Sequence, residues 1–145
     1  MDGQPESAVR HDREAEFVEN VGAFMRRDFA TVEATWRPDI VLTLPGSSWL
    51  AGIYGGYDEA SRCVLGLRQV LASDETRMTF IHEGDRMIVR HDITVLGPMH
   101  EAEMTLRVKI SYDSDGRAEA IYLEPDDLAL FDHVLNTALR NQSTA

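Results

Sequence analysis

The segment Pro45–Gly56, Pro-Gly-Ser-Ser-Trp-Leu-Ala-Gly-Ile-Tyr-Gly-Gly, constrains the fold of this chain more than any other stretch. Four glycines and a proline within twelve residues forbid a regular element there, since glycine admits positive φ and proline removes a donor. Yet Trp49, Leu50, Ile53 and Tyr54 are large, and loops that bear several large apolar groups fold over cavities. The segment joins an apolar strand, Asp39–Leu44, to an amphipathic helix that opens near Asp58. Two short helices come before it and mostly strand comes after.

Residues 1–12 are polar and aperiodic, and read as a flexible leader to a single domain over residues 13–142. Phe17, Val21, Phe24 and Met25 recur at helical spacing from Arg13 to about Arg27. Asp28 can cap a second helix bearing Phe29, Val32 and Trp36, which Pro38 ends. A third helix, about Asp58 to Ala72, carries Ala60, Val64, Leu67 and Leu71 on one stripe. Thr76–Glu83 and Arg86–Leu96 then form a hairpin at Gly84-Asp85. Gly97-Pro98 breaks the chain before a long strand, His100–Tyr112, and Arg117–Glu124 is the last strand. Pro125-Asp126-Asp127 opens a closing helix with Leu128, Phe131, Leu135 and Ala138 aligned. The order predicts an α+β domain: a curved, mainly antiparallel sheet wrapped with helices into a cone-shaped cavity.

Composition narrows the function classes. A net charge of −11 repels phosphate backbones and acidic headgroups, so nucleic acid and membrane are not expected partners. No run approaches the ~20 apolar residues of a membrane helix, and Met1–Arg10 lacks a secretory layout. The single cysteine, Cys63, permits no internal disulfide, suits a reducing cytoplasm and reads as a packing residue. Histidine spacing matches no compact metal motif, and there is no phosphate loop, so neither metal nor cofactor is expected.

This order of elements, with Pro-Gly…Leu-Ala-Gly…Gly-Tyr-Asp-Glu-Ala after the first strand, resembles the SnoaL-like polyketide cyclases. Those belong to the superfamily of nuclear transport factor 2, with ketosteroid isomerase and limonene epoxide hydrolase, whose fold is a cystatin-like α+β roll. The resemblance spans about Phe17 to Leu139. It implies a cofactor-free protein that takes a small hydrophobic molecule, polycyclic, polyketide-like or terpenoid, and that pairs as a homodimer through the open sheet face. The isomerase's base, oxyanion tyrosine and protonated aspartate fall on Leu44, near Asn20 and near Val108, so that chemistry is not expected. The hydrolase's Arg-x-Asp falls on Arg90-His91-Asp92, but its second aspartate falls on Leu123.

Strand parity decides the site. On Arg86–Leu96, a plain core reading turns Met87, Val89, His91, Ile93 and Val95 inward and leaves Arg90 and Asp92 in solvent. The resemblance implies the reverse, and this is the orientation expected here, with Asp92 as proton carrier and Arg90 holding it charged or stabilising an oxyanion. His100, Ala102, Met104, Leu106, Val108 and Ile110 face inward on the long strand, and Tyr122 sits on the last. His100 or Tyr122 would assist Asp92, or be structural. Trp49 and Tyr54 either clamp a flat ligand at the cavity mouth or pack on the sheet or a second subunit. Phe24, Phe80, Met104, Leu106 and Val108 are the remaining candidate ligand contacts. Two functions stay open: cofactor-free acid–base catalysis of the cyclase, isomerase, dehydratase or hydrolase type, and a non-catalytic ligand-binding or dimerisation module.

Overall fold

A computed structural model describes residues 6–68, 71–96 and 101–144. The elements run α1 (Glu6–Arg26), α2 (Phe29–Glu33), β1 (Trp36–Leu44), β2 (Gly52–Gly55) and α3 (Tyr57–Arg68). They continue as β3 (Leu71–Glu83), β4 (Arg86–Leu96), β5 (Glu101–Tyr112), β6 (Ala118–Pro125) and α4 (Leu128–Thr144). The six strands form one mixed sheet in the order β2-β1-β6-β5-β4-β3, with only the β1–β6 pair parallel. The α+β class with a mainly antiparallel sheet is therefore as the element order predicts.

Several boundaries differ from the sequence expectation: the third helix closes at Arg68, and Leu71, expected on its stripe, instead opens β3 ahead of Thr76. Three further differences have a local reason. α1 starts at Glu6, ahead of the apolar spacing, in a stretch of good helix formers such as Glu6, Ala8 and Arg10. β1 takes up Trp36 and runs through Pro38, and its pairing with β6 is irregular between Trp36 and Val41. A proline is tolerated at such a break because no ladder donor is required of it. The glycine-rich segment does contain a strand: β2 pairs antiparallel with β1, Val41 opposite Gly55 and Leu44 opposite Gly52. An edge strand needs one partner only, so the weak propensity of glycine is overcome by the neighbour's ladder.

The core lies between the concave sheet face and the helices. β5 alternates as expected, burying Ala102, Met104, Leu106, Val108, Ile110 and Tyr112. Directly paired residues share a face. Register therefore matches Met87 with Ile110, Val89 with Val108, His91 with Leu106 and Ile93 with Met104. That register turns the apolar set of β4 inward and puts Arg90 and Asp92 on the exposed outer face, opposite Arg107 and Thr105. The orientation expected for Arg90 and Asp92 is thus reversed. Burying Met87, Val89 and Ile93 removes a large apolar area from water, whereas turning an arginine and an aspartate inward would desolvate two charges. On β6, an irregularity opposite Ser111 and Tyr112 shifts the alternation. Ile121 and Leu123 face inward, and Tyr122 is 39% exposed on the outside.

Candidate functional site

α1 carries Glu16, Phe17, Asn20, Val21 and Phe24 at three- and four-residue spacing, which places them on one face. That face roofs a recess over the concave sheet, neither sealed nor flat, with a volume of about 140 Å³. Its floor is apolar: Leu42 of β1, Ile93 of β4, Leu106, Val108 and Ile110 of β5, and Ile121 and Leu123 of β6. α3 adds Val64, Leu67 and Arg68 to the wall, and Trp36 lines it from the start of β1. Phe24 stands 5.6 Å from Trp36 between ring centres, so two aromatic groups meet at one end.

The polar groups of this recess are Glu16, Asn20, Arg68, His91 and Tyr112. Burial raises the carboxyl of Glu16 from its usual 4.5 to about 7; Arg13 opposes that shift and Asp12 reinforces it. A carboxyl that titrates near neutrality beside a cavity can give or take a proton at working pH. Tyr112 is buried, which pushes its hydroxyl above the usual value, and the charge of Glu16 pushes the same way. The guanidinium of Arg13 lies 4.4 Å over the Tyr112 ring and donates to the carbonyl of Gly84 at 3.0 Å. Glu14 meets Nε2 of His82 at 2.6 Å. These contacts pin the first half of α1 to the β3–β4 hairpin and so hold Glu16 over the recess. The His82 side chain is largely buried in that contact.

Asn20 is 9% exposed and donates from Nδ2 to Oγ1 of Thr35 at 2.9 Å. The Thr35 hydroxyl donates in turn to the carbonyl of Val32 at 2.9 Å. Its proton is therefore engaged, and it must accept from the amide nitrogen, which settles the orientation of the Asn20 side chain. Oδ1 of Asn20 is buried with no hydrogen-bond partner among the described residues.

The residues singled out in the sequence separate into three groups. Phe24, Leu106 and Val108 line the recess. Met104 and Phe80 lie beside it without lining it, Phe80 packing edge-on against Phe17 at 6.3 Å. Arg90, Asp92 and Tyr122 stand on the outer face, where Asp92 accepts from the Thr105 hydroxyl at 3.1 Å. A role for Asp92 and Arg90 inside the cavity does not survive that placement. His100 lies outside the described residues.

Trp49 is not at the mouth. Its indole Nε1 donates to the carbonyl of Leu135 at 2.9 Å and its backbone N–H to Oδ1 of Asn136 at 3.0 Å. Asp132 accepts from the N–H of Ser47 at 2.9 Å, so the loop after β1 is strapped to α4. Gly46 there has φ +107, and a Cβ would stand 2.5 Å from the Asp132 carboxylate, so glycine is required. Tyr54 donates to the carbonyl of Leu50 and is likewise structural.

Sequence reasoning missed Glu16, His91 and Tyr112. The signal for Glu16 was present as a charge interleaved with the apolar stripe of α1. Among the described residues, no group of three or more His, Cys, Asp or Glu side chains is placed to hold a metal ion. Cys63 is buried in the middle of α3, and burial raises its thiol to about 11, as befits a packing residue. No described helix is long and apolar enough to cross a membrane.

No protein-family model and no curated protein matches the sequence. Solved structures do match the fold. An NTF2-like protein from Burkholderia xenovorans is 20% identical, with a TM-score of 0.73 over 92% of this chain and 100% of its own. A steroid delta-isomerase from Pseudomonas aeruginosa is 19% identical, with a TM-score of 0.64 over 90% of this chain and 91% of its own. A candidate SnoaL-like polyketide cyclase from Jannaschia is 15% identical, with a TM-score of 0.61 over 92% and 98%. The chain has the NTF2-like fold, as its resemblance to the SnoaL-like members of that superfamily implies.

Proposed function

We propose that the chain binds a compact, largely apolar small molecule in the recess between α1, α3 and the concave sheet face. The observation that carries this reading is the apolar floor of Leu106, Val108, Ile110 and Leu123 beneath a helix that places Glu16 and Asn20 over it. A volume of about 140 Å³ is the scale of core cavities that take up benzene. It favours one ring below the mouth over a fused polycyclic body. The test is titration with ethylbenzene, followed by NMR shifts of residues on the recess wall. Saturable binding is expected in the parent chain. Val108→Phe, which fills the floor, should weaken it by more than about tenfold while the fold persists. The absence of saturable binding, or unchanged binding in the filled variant, would sink the proposal.

Glu16 favours a second reading, cofactor-free acid–base chemistry on the bound molecule. Its carboxyl stands beside the cavity with a pKa of about 7, close to the optimum for moving protons at neutral pH. With cyclohexanone in deuterated water, the chain should speed hydrogen exchange at the α-carbon, and Glu16→Gln should remove that acceleration. Equal exchange with and without the protein would leave the binding reading alone.

A further inference from the structure

α3 brings a charge of its own to the recess. Val64, Leu67 and Arg68 fall three and four residues apart, on the helical face that walls the cavity. Arg68 is half-buried there. Other arginines of the chain meet carboxylates: Arg26 meets Glu19 at 3.1 Å, Arg37 meets Asp39 at 2.8 Å and Arg107 meets Glu124 at 3.3 Å. Among the described residues, Arg68 has no such partner. Its position in the last turn of α3 complements the helix dipole, which accounts for a cation there but not for one in a cavity wall.

The carboxyl that lines the same recess does not fill this gap. The charges that shift Glu16 are those of Arg13 and Asp12, and Arg68 is not among them. Coulombic influence falls with distance, so Glu16 and Arg68 occupy separate parts of the wall. A cation drawn partly out of water with no counter-charge is costly, and a ligand that supplies the anion recovers that cost. A guanidinium suits a carboxylate in particular, because its planar fork donates two parallel bonds.

Resting on the binding reading above, we propose that the ligand is a one-ring apolar carboxylic acid, bound as its anion, and that Arg68 receives the carboxylate. Arg68 is then the residue that sets specificity for charge, while the concave sheet face takes the ring.

Phenylacetate and phenylacetamide share a shape and differ in charge, so the ratio of their dissociation constants isolates the role of Arg68. NMR titration at physiological salt suits the comparison, since screening over about 8 Å mutes the repulsion from the net charge of −11. The parent chain should bind phenylacetate roughly tenfold more tightly than the amide. Arg68→Met keeps the apolar stem; it should abolish that preference and leave ethylbenzene within about threefold. Arg68→Gln serves the same purpose if Arg68→Met does not fold. Equal binding of the two probes in the parent chain is the result for an arginine whose stem lines the wall while its guanidinium stays in water. That result, or tighter binding of the amide, overturns the inference, while saturable ethylbenzene binding keeps the cavity reading. A preference for phenylacetate that survives the loss of Arg68 overturns it too, since another group would then receive the anion. Binding of none of the three probes overturns the cavity reading, and this inference with it.

Discussion

The two faces of the sheet spend their polar residues in opposite ways. On the outer face, charges meet partners in water: Glu124 accepts from Lys109 at 3.1 Å and from Arg107 at 3.3 Å. The bond from Lys109 is the largest influence holding the Glu124 carboxyl below its usual value. On the inner face, Glu16 sits in an apolar wall and its carboxyl is pushed up by burial. The same residue type therefore titrates in opposite directions on the two sides. Solvated pairing stabilises a charge and contributes little to stability, whereas desolvation disfavours the charge and makes the group reactive. Functional candidacy on this fold belongs with the inner group, although the outer face carries the more conspicuous motif, Arg90-His91-Asp92.

The sharpest way to break this comparison is to disturb positions of β4 that face opposite ways. Met87→Ala, on the fully buried side, should cost about 2–5 kcal/mol in urea unfolding through the cavity it leaves. Asp92→Asn, on the exposed side, should stay within about 0.5 kcal/mol and leave ligand binding unchanged. A loss of binding in Asp92→Asn with the fold intact would reverse the assignment of the two faces.

A smaller effect sharpens the contrast through pH. Glu16 keeps its proton in the folded chain up to about pH 7, while an unfolded glutamate ionises near 4.5. Its contribution to stability therefore falls as pH rises between those values. Groups that share its surroundings are Arg13 and Asp12 on α1, Tyr112 on β5, His91 on β4 and Arg68 on α3. Glu124 behaves oppositely: its folded value is depressed, so its contribution is present above 4.5 and is lost as pH falls through the folded value. Urea unfolding across pH 4 to 8 should show the fall between 4.5 and 7 removed in Glu16→Gln. Lys109→Ala should cost only about 0.2–1 kcal/mol near neutrality, less in high salt. Parallel pH profiles for the parent chain and Glu16→Gln would show that the carboxyl is solvated after all.

Much of the fold was legible because periodicity reports burial directly. The strict alternation of Ala102 to Ile110 marked one side of β5 as core, and the structure buries that side. The face of β4 was not legible in the same way. Its two sets, Met87-Val89-His91-Ile93 and Ile88-Arg90-Asp92-Thr94, each suit a cavity of some kind, and the choice rests on register with β5. His91 shows the consequence: flanked by the two charges of the motif, it alone of the three turns inward. Tyr122 was misread for a related reason, since one irregularity in the β5–β6 pairing exchanges the faces of all that follows.

Asn20 and Glu16 were visible as polar residues within an apolar helical stripe, yet nothing local distinguishes a solvated flank from a cavity wall. The order of elements, the apolar alternation and the turn chemistry belong to the chain itself, because they follow from steric limits and water avoidance acting over a few residues. Which carboxyl loses its water was decided only when α1 was pinned across the sheet by Arg13 and Glu14. Desolvation depends on every neighbour in three dimensions, and those neighbours come from α1, α3, β1, β4, β5 and β6 together.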